Sequence, residues 1–511
     1  MKHLIPPSRF ERWPGVFKVL ASFTIVSRAV ISVLVLAGLI LPGCGGETPE
    51  GDRTAGHRTA PDRAAGDHPA DALSIPNQQR KRELETYMQS ALEVYDFSGA
   101  VLVARGDEVL LRAGYGFADR DAREINRPET RFLIGSATKI FTALAIMQLV
   151  EAGQVDLGDP LSKYLPDYPP EVAGRVTVHH LLTHTSGIRD VLTVPAFREQ
   201  LAAAITPDEM TELFAHEPLS FEPGTRHAYS NSNYALLARI IEIASGLSWA
   251  EYLDTHICDP IAMRHTGVPA EDASGLAQGY LHHPRGLIPV PVFHISRGYG
   301  AGDIASTVGD LYRLDRALAR GDLVTQSTLQ QMLTPQAENY GYGWMIETMG
   351  SHTLTFHGGG VPGQVSIIQR WIDDSVFVVV LANNAGIPVH TIATGLAAAV
   401  LGETYELPRI KHPATLTHAQ LAEYEGRYRL AGGMLRRIEL RDTGLVAIRS
   451  EDRPYVILSE GKDRFYFAHD PMTTLRFLRD RNGEITAHVL QRAFESDTAY
   501  VDAVHSGAIA D

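Results

Sequence analysis

Ser136 and Lys139 stand three residues apart at the head of a strongly apolar stretch, Ile140 to Val150, in a chain of 511 residues. The run predicts a buried helix over Ser136 to Ala152, stopped by Gly153. A serine in the first turn of such a helix lies near unpaired N–H groups and the positive end of the dipole. A lysine one turn on shares its face, and together they suit an activated nucleophile. Ser459-Glu460-Gly461-Lys462 repeats the spacing in a predicted hairpin turn with no apolar helix behind it, and is read as a chance match. Tyr229-Ser230-Asn231 is the one Tyr-x-Asn among 19 tyrosines; it follows a Phe221-Glu222-Pro223-Gly224 turn and precedes a helix over Ser232 to Ala244. A phenol, with an ordinary pKa near ~10, becomes a useful base only beside positive charge, which Lys139 would supply. Taken alone, the segment is equally a core tyrosine with Asn231 as helix N-cap. His357-Gly358-Gly359-Gly360-Val361-Pro362-Gly363 comes just after a strand over His352 to Phe356. Its glycines permit close backbone approach and leave N–H groups free for an oxyanion, although a glycine-rich hairpin would read the same way.

The elements that must position these residues are legible in mixed order. Arg82 to Tyr95 has helical apolar spacing, and Gly99 to Arg105 and Glu108 to Tyr115 read as strands joined by Gly106-Asp107. Gln364 to Trp371 and Ser375 to Ala382 are further strands, followed by a helix over Ile387 to Leu401. Helices gathered between strand pairs from both ends imply an α+β unit whose sheet is completed by distant parts of the chain. From Leu421 to Val504 short alternating runs are punctuated by Gly, Asp and Asn, which predicts a small antiparallel β-barrel or sandwich of seven or eight strands.

Composition narrows the function classes. With 46 Lys+Arg against 60 Asp+Glu and a net charge of -14, the chain has no concentrated basic face, so nucleic acid is not an expected partner. His179, His180 and His184 lack an HExxH arrangement, no GxxxxGK[ST] phosphate loop or Gly-x-Ser-x-Gly elbow occurs, and neither a metal nor a cofactor is expected. Of the two cysteines, Cys258 reads as a small buried residue.

Cys44 belongs to a different context. A basic leader (Lys2, Arg9, Arg12, Lys18, Arg28) precedes an apolar run from Ala29 to Leu41, short for a membrane span, and then Pro42-Gly43-Cys44. This resembles a bacterial lipoprotein lipobox, which implies export, lipidation of Cys44 and a membrane anchor, with Gly45 favouring the periplasmic face of the outer membrane. The stretch Gly45 to Ala72 contains no Val, Ile, Leu, Met or aromatic residue and reads as a tether. The expected division is a signal peptide over 1–43, a tether over 44–78, a catalytic unit over 79–405 and a β-domain over 415–505.

The ordered motifs resemble the β-lactamase-related serine hydrolases: class C β-lactamases, low-molecular-mass penicillin-binding proteins and related esterases and D-amino-acid peptidases. Leu181 to Gly187 (LLTHTSG), Phe221 to Gly224, Tyr229 to Asn231 and Gly302 to Thr307 (GDIAST) look like that family's successive signatures, over roughly Leu84 to Leu401. The resemblance implies an antiparallel sheet flanked by helices with an all-helical subdomain. It implies Ser136 as nucleophile, Lys139 and Tyr229 as base and proton relay, and Asn231 and His357 on the substrate. Gly359 and Gly360 would lie along the substrate strand, with the N–H groups of Ser136 and Gly360 as oxyanion hole. The substrate would be a small ester, an amide or a D-amino-acid peptide, including peptidoglycan-derived ones. Where penicillin-hydrolysing members carry Lys-Thr-Gly, this chain has His357-Gly358-Gly359, which is nearer the esterase and D-aminopeptidase branches. A reading of a different class is a catalytically silent envelope lipoprotein of the same fold.

Overall fold

The computed structural model describes residues 77–501 apart from 271–274, 284–285, 292, 431–434, 443, 449–453 and 493–494. The leader, Cys44 and nearly all of the tether lie outside the described residues. Helix α1 (Asn77–Tyr95) buries Leu84, Tyr87, Met88 and Ala91. It starts before Arg82, where apolar spacing first shows, because Asn77, Gln78 and Gln79 form a polar, exposed first turn that carries no period. Strands β1 (Gly99–Arg105) and β2 (Glu108–Tyr115) make the first hairpin. Ser136 lies in a 3-10 turn, Gly135–Ala137, that runs directly into α2 (Thr138–Glu151), so the predicted helix begins with a tighter turn. Helix α3 (Asn231–Ser245) ends on Gly246 in the left-handed conformation. The second half supplies β3 (Met345–Met349), β4 (His352–Val361), β5 (Gln364–Trp371), β6 (Val376–Ala382) and α4 (Val389–Leu401).

These strands form one antiparallel sheet in the order β2-β1-β6-β5-β4-β3. β1 lies against β6 from Gly99 opposite Ala382 to Arg105 opposite Val376, which joins the two ends of the unit. Strand alternation sends Val101, Val103, Val378 and Val380 to one face, where α1 and α4 cover them. Ala100, Leu102, Val379 and Leu381 point to the other, against α2, α3 and the helical region between the two halves of the sheet. Helix α2 is buried on nearly every side, as its continuous apolar composition requires.

The glycine motif is strand rather than a loop after one. β4 continues through His357, Gly358, Gly359 and Gly360 to Val361, with Gly359 opposite Ser366 and Gly360 opposite Val365. Pairing with β5 overrides the weak strand preference of glycine, and the glycines are needed because the Ser136 turn lies against this strand. A Cβ on Gly359 would lie 1.8 Å from the Ile134 carbonyl oxygen and 2.6 Å from Ser366 Oγ, while Ser366 Oγ itself donates to that carbonyl at 2.7 Å. Gly359→Ala is therefore expected to lower the melting temperature by several degrees and remove activity together, measured by calorimetry and ester turnover; unchanged values of both would contradict this packing.

The C-terminal region is a closed antiparallel barrel of eight strands: β7 (Gly426–Leu430), β8 (Leu435–Arg441), β9 (Gly444–Ile448), β10 (Pro454–Gly461), β11 (Arg464–Phe467), β12 (Asp470–Arg479), β13 (Ile485–Arg492) and β14 (Glu495–Val501). β7 closes on β14 through Tyr428 opposite Val501. Tyr428, Phe465, Leu475 and Phe477 fill the interior. The barrel rests on the α1 and α4 side of the sheet: Thr391 Oγ1 on α4 donates to Asp470 at 2.7 Å, and Met472 packs against the core there.

Candidate active site

Three segments meet at the edge of β4 that β3 leaves uncovered. Gly135 has φ +52 and a Cβ there would lie 2.6 Å from the Gly360 nitrogen, so only glycine lets the Ser136 turn approach this strand. The turn is held from the other side by the GDIAST segment, through Ile134 N–H donating to the Ile304 carbonyl and Ile304 N–H donating to Thr138 Oγ1. The third segment, Tyr229 to Asn231, is fixed by the LLTHTSG signature. Ala228 N–H donates to the His184 carbonyl, Gly224 N–H to the Thr185 carbonyl and Ser220 N–H to the Gly187 carbonyl. Each signature thus has a mechanical task in holding one wall of the site.

Lys139 is fully buried, and its Nζ lies 3.2 Å from Ser136 Oγ, 2.8 Å from Asn231 Oδ1 and 2.8 Å from the Ala301 carbonyl oxygen. Burial lowers its pKa to about 7, with the charges of Asp190 and Asp303 pushing the other way. A neutral amine has two protons. The fixed acceptors on Asn231 and Ala301 take both, which leaves the lone pair directed at the Ser136 hydroxyl. Lys139 Nζ also sits 4.9 Å from the Tyr229 ring centroid and 5.5 Å from that of Tyr234.

The Tyr229 hydroxyl is buried without a partner that meets hydrogen-bond geometry. Burial raises its pKa well above 10, and the nearby Ser136 hydroxyl offsets only part of the rise. The phenol is therefore protonated at neutral pH. His184 fixes the ring from behind, with centroids 4.3 Å apart, and its Nδ1 accepts from Ser230 N–H at 3.2 Å. Asn231 is the first residue of α3 rather than its N-cap, a position Ser230 occupies without a side-chain cap. Its Nδ2 donates to both oxygens of Asp190, at 3.2 and 3.3 Å, which turns Oδ1 toward Lys139.

Ser136, Asn231 and Gly360 line a cleft in front of the serine, while Lys139 and Tyr229 stand behind it. His357 and Gly359 do not line it. His357 is fully buried: its Nδ1–H donates to the Gly358 carbonyl at 2.6 Å, so Nε2 accepts from the Tyr340 hydroxyl at 3.2 Å. Burial, with Lys139 nearby, drives its pKa down to about 3, and the imidazole is neutral. Asp190, Ala301 and Tyr340 were not singled out by motif reading, while His184 and Asp303 stood inside the LLTHTSG and GDIAST signatures without a role assigned to either. Asp190 lies three residues beyond LLTHTSG, and its only signal was a carboxylate placed just after that signature. Asp303, buried and bonded to Gly300 N–H at 3.1 Å, has its pKa raised to about 7 by burial.

His179 bonds Tyr342 and His180 caps its own helix at Thr177. Among the described residues no group of three His, Cys, Asp or Glu side chains is placed to hold a metal ion. Cys258 is a buried free thiol whose pKa burial pushes up, so it is a poor nucleophile.

A family model described as Beta-lactamase matches residues 84–401, the segment that carries this whole arrangement. The chain belongs to the Beta-lactamase family. Within it the chain is similar to penicillin-binding protein 4* of Bacillus subtilis, at 29% identity over 70% of this chain and 84% of the relative. It is also similar to the teichoic acid D-alanine hydrolase of Staphylococcus aureus, at 30% identity over 59% of this chain and 73% of the relative. Among solved structures, the octameric penicillin-binding protein homologue from Pyrococcus abyssi superposes with TM-score 0.59 and 27% identity, over 82% of this chain and 98% of that one. This member of the Beta-lactamase family is a serine hydrolase with a β-barrel appended to the hydrolase fold.

Proposed function

We propose that the enzyme cleaves a small ester, an amide or a D-amino-acid derivative through an acyl-enzyme on Ser136. The observation that carries this is the Lys139 amine, buried, depressed to about 7 and aimed at Ser136 Oγ. Neutral Lys139 takes the hydroxyl proton as Oγ attacks the carbonyl carbon, and the developing oxyanion is received by the N–H groups of Ser136 and Gly360. Tyr229, protonated and unpaired, gives its proton to the departing group and is reprotonated from Lys139. Water then attacks the ester, with the proton returning along the same path. The resemblance to a D-alanine hydrolase supports the D-amino-acid branch of this reading.

Asp190 acts as a positioning residue in this scheme. Its negative charge holds the Asn231 amide and raises the pKa of Lys139. Asp190→Asn is expected to lower kcat by roughly 10- to 100-fold and to move the acid limb of the pH profile to lower pH, because one upward push on Lys139 is removed. A merely structural role would lower the rate without moving that limb.

The reaction panel that tests the proposal contains p-nitrophenyl esters, D-amino-acid amides and nitrocefin. Turnover of nitrocefin is expected to fall far below that of the best ester or amide, since neutral, buried His357 supplies no fixed positive charge for the β-lactam carboxylate. Nitrocefin rates equal to the esters would count against the weight placed on this residue. For location, we propose that the chain is exported and anchored through lipid on Cys44, a reading supported by the basic leader, the apolar run and Gly43-Cys44.

A further inference from the structure

The cleft in front of Ser136 extends into a side lobe between the Val191 to Leu201 strap and the Phe293 to Tyr299 segment. Leu192, Phe197, Leu201, Phe293 and Tyr299 give the lobe its apolar walls. Among the described residues no carboxylate lines it. The two acids nearest the catalytic lysine are already engaged: Asp190 accepts from Asn231 and from Leu192 N–H, and Asp303 accepts from Gly300 N–H and Trp249 Nε1. Among the described residues the charged groups on the cleft wall are Arg198 and Arg297. Arg198 Nε donates to the Leu192 carbonyl and Arg297 Nε to the Ala203 carbonyl, and Arg297 stacks on Phe197 at 5.4 Å, so both guanidinium groups pin the strap through carbonyls and a ring rather than through a carboxylate.

An ammonium group entering this lobe would lose water, meet like charge and find no anion, which opposes its burial. An apolar substituent would gain from the same walls. Ser136 and Gly360, the proposed nucleophile and oxyanion donor, line the same cleft as these apolar walls, so an acyl group carried on Ser136 lies beside the lobe. We propose that this lobe is an acyl-side subsite for an apolar acyl group that carries no free ammonium, whether the acyl part of a simple ester or an N-acylated D-amino acid. The inference rests on Ser136 being the acylated residue.

The test compares kcat/KM for p-nitrophenyl acetate and hexanoate, and for the p-nitroanilides of D-phenylalanine and N-acetyl-D-phenylalanine, in wild type, Leu201→Asp and Phe293→Ala. Fluorophosphonate labelling of Ser136 is followed in parallel. The expected result is a preference of roughly tenfold or more for hexanoate over acetate and for the N-acetyl over the free-amine compound. Phe293→Ala should shrink the first ratio, and Leu201→Asp, which places a carboxylate in the lobe, should shrink or reverse the second. Whether the hexanoate-to-acetate ratio or the N-acetyl-to-free-amine ratio is the larger separates the two sources of the acyl group, since each ratio is taken within one leaving group. A flat chain-length series, or preference for the free amine, in protein that still labels at Ser136 would overturn the subsite. Absence of labelling in wild type would instead overturn the catalytic reading beneath it.

Discussion

Ser136→Ala is expected to reduce ester and amide turnover by roughly 10^4- to 10^6-fold while leaving the fold intact, as read by steady-state kinetics and circular dichroism. The size of the effect follows from the reaction class, since without the hydroxyl no acyl-enzyme forms and the remaining donors can only orient substrate. The fold should survive because Lys139, which the hydroxyl meets at 3.2 Å, is still held by Asn231 Oδ1 and the Ala301 carbonyl at 2.8 Å each. Residual activity within tenfold of wild type would mean that another group attacks the substrate.

Lys139→Met should cost roughly 10^2- to 10^4-fold in kcat/KM, the range general-base catalysis supplies. Methionine fills a similar volume in the fully buried site without an amine. In wild type, kcat/KM should rise with pH through an apparent pKa near 7, because Lys139 is a base only after losing its proton and burial places that loss at about 7. For stability the sign is distinct. The folded pKa lies below the ordinary lysine value of 10.5, so the unfolded chain holds the proton more tightly and stability falls as pH drops from 10.5 toward 7. The variant should lack that share of the dependence. A wild-type profile flat between pH 6 and 8 would exclude Lys139 as the base.

Much of the site was legible because its chemistry is local. Ser136 and Lys139 are one helical turn apart, and the tyrosine and asparagine share a tripeptide before a helix, so spacing alone brings each pair near the other. What spacing could not carry was contact between segments. Asp190 reaches Asn231 across 41 positions, and Ala301 meets Lys139 across 162. A backbone carbonyl has no residue signature at all. His357 shows a different limit: its motif position suggests the substrate strand, but β4 alternation turns its side chain into the tyrosine-rich interior, where it supports Tyr340. The sheet's two ends were identifiable by period, whereas the continuation of β4 through three glycines depends on its partner β5 and on the approach of the Ser136 turn. In the C-terminal domain alternation gave seven or eight strands in a barrel or sandwich, and the pairing of β7 with β14 fixes eight strands in a closed barrel.

The central claim is that substrate becomes covalently attached to Ser136 with Lys139 as base. Intact-protein and peptide mass spectrometry after brief exposure to a slowly turned-over ester or a fluorophosphonate tests it most directly. The expected result is a single adduct of the acyl or phosphonyl mass on the peptide containing Ser136, absent from Ser136→Ala and formed faster as pH rises through about 7. An adduct on another residue, or full turnover with Ser136 unmodified and Ser136→Ala still active, would contradict it.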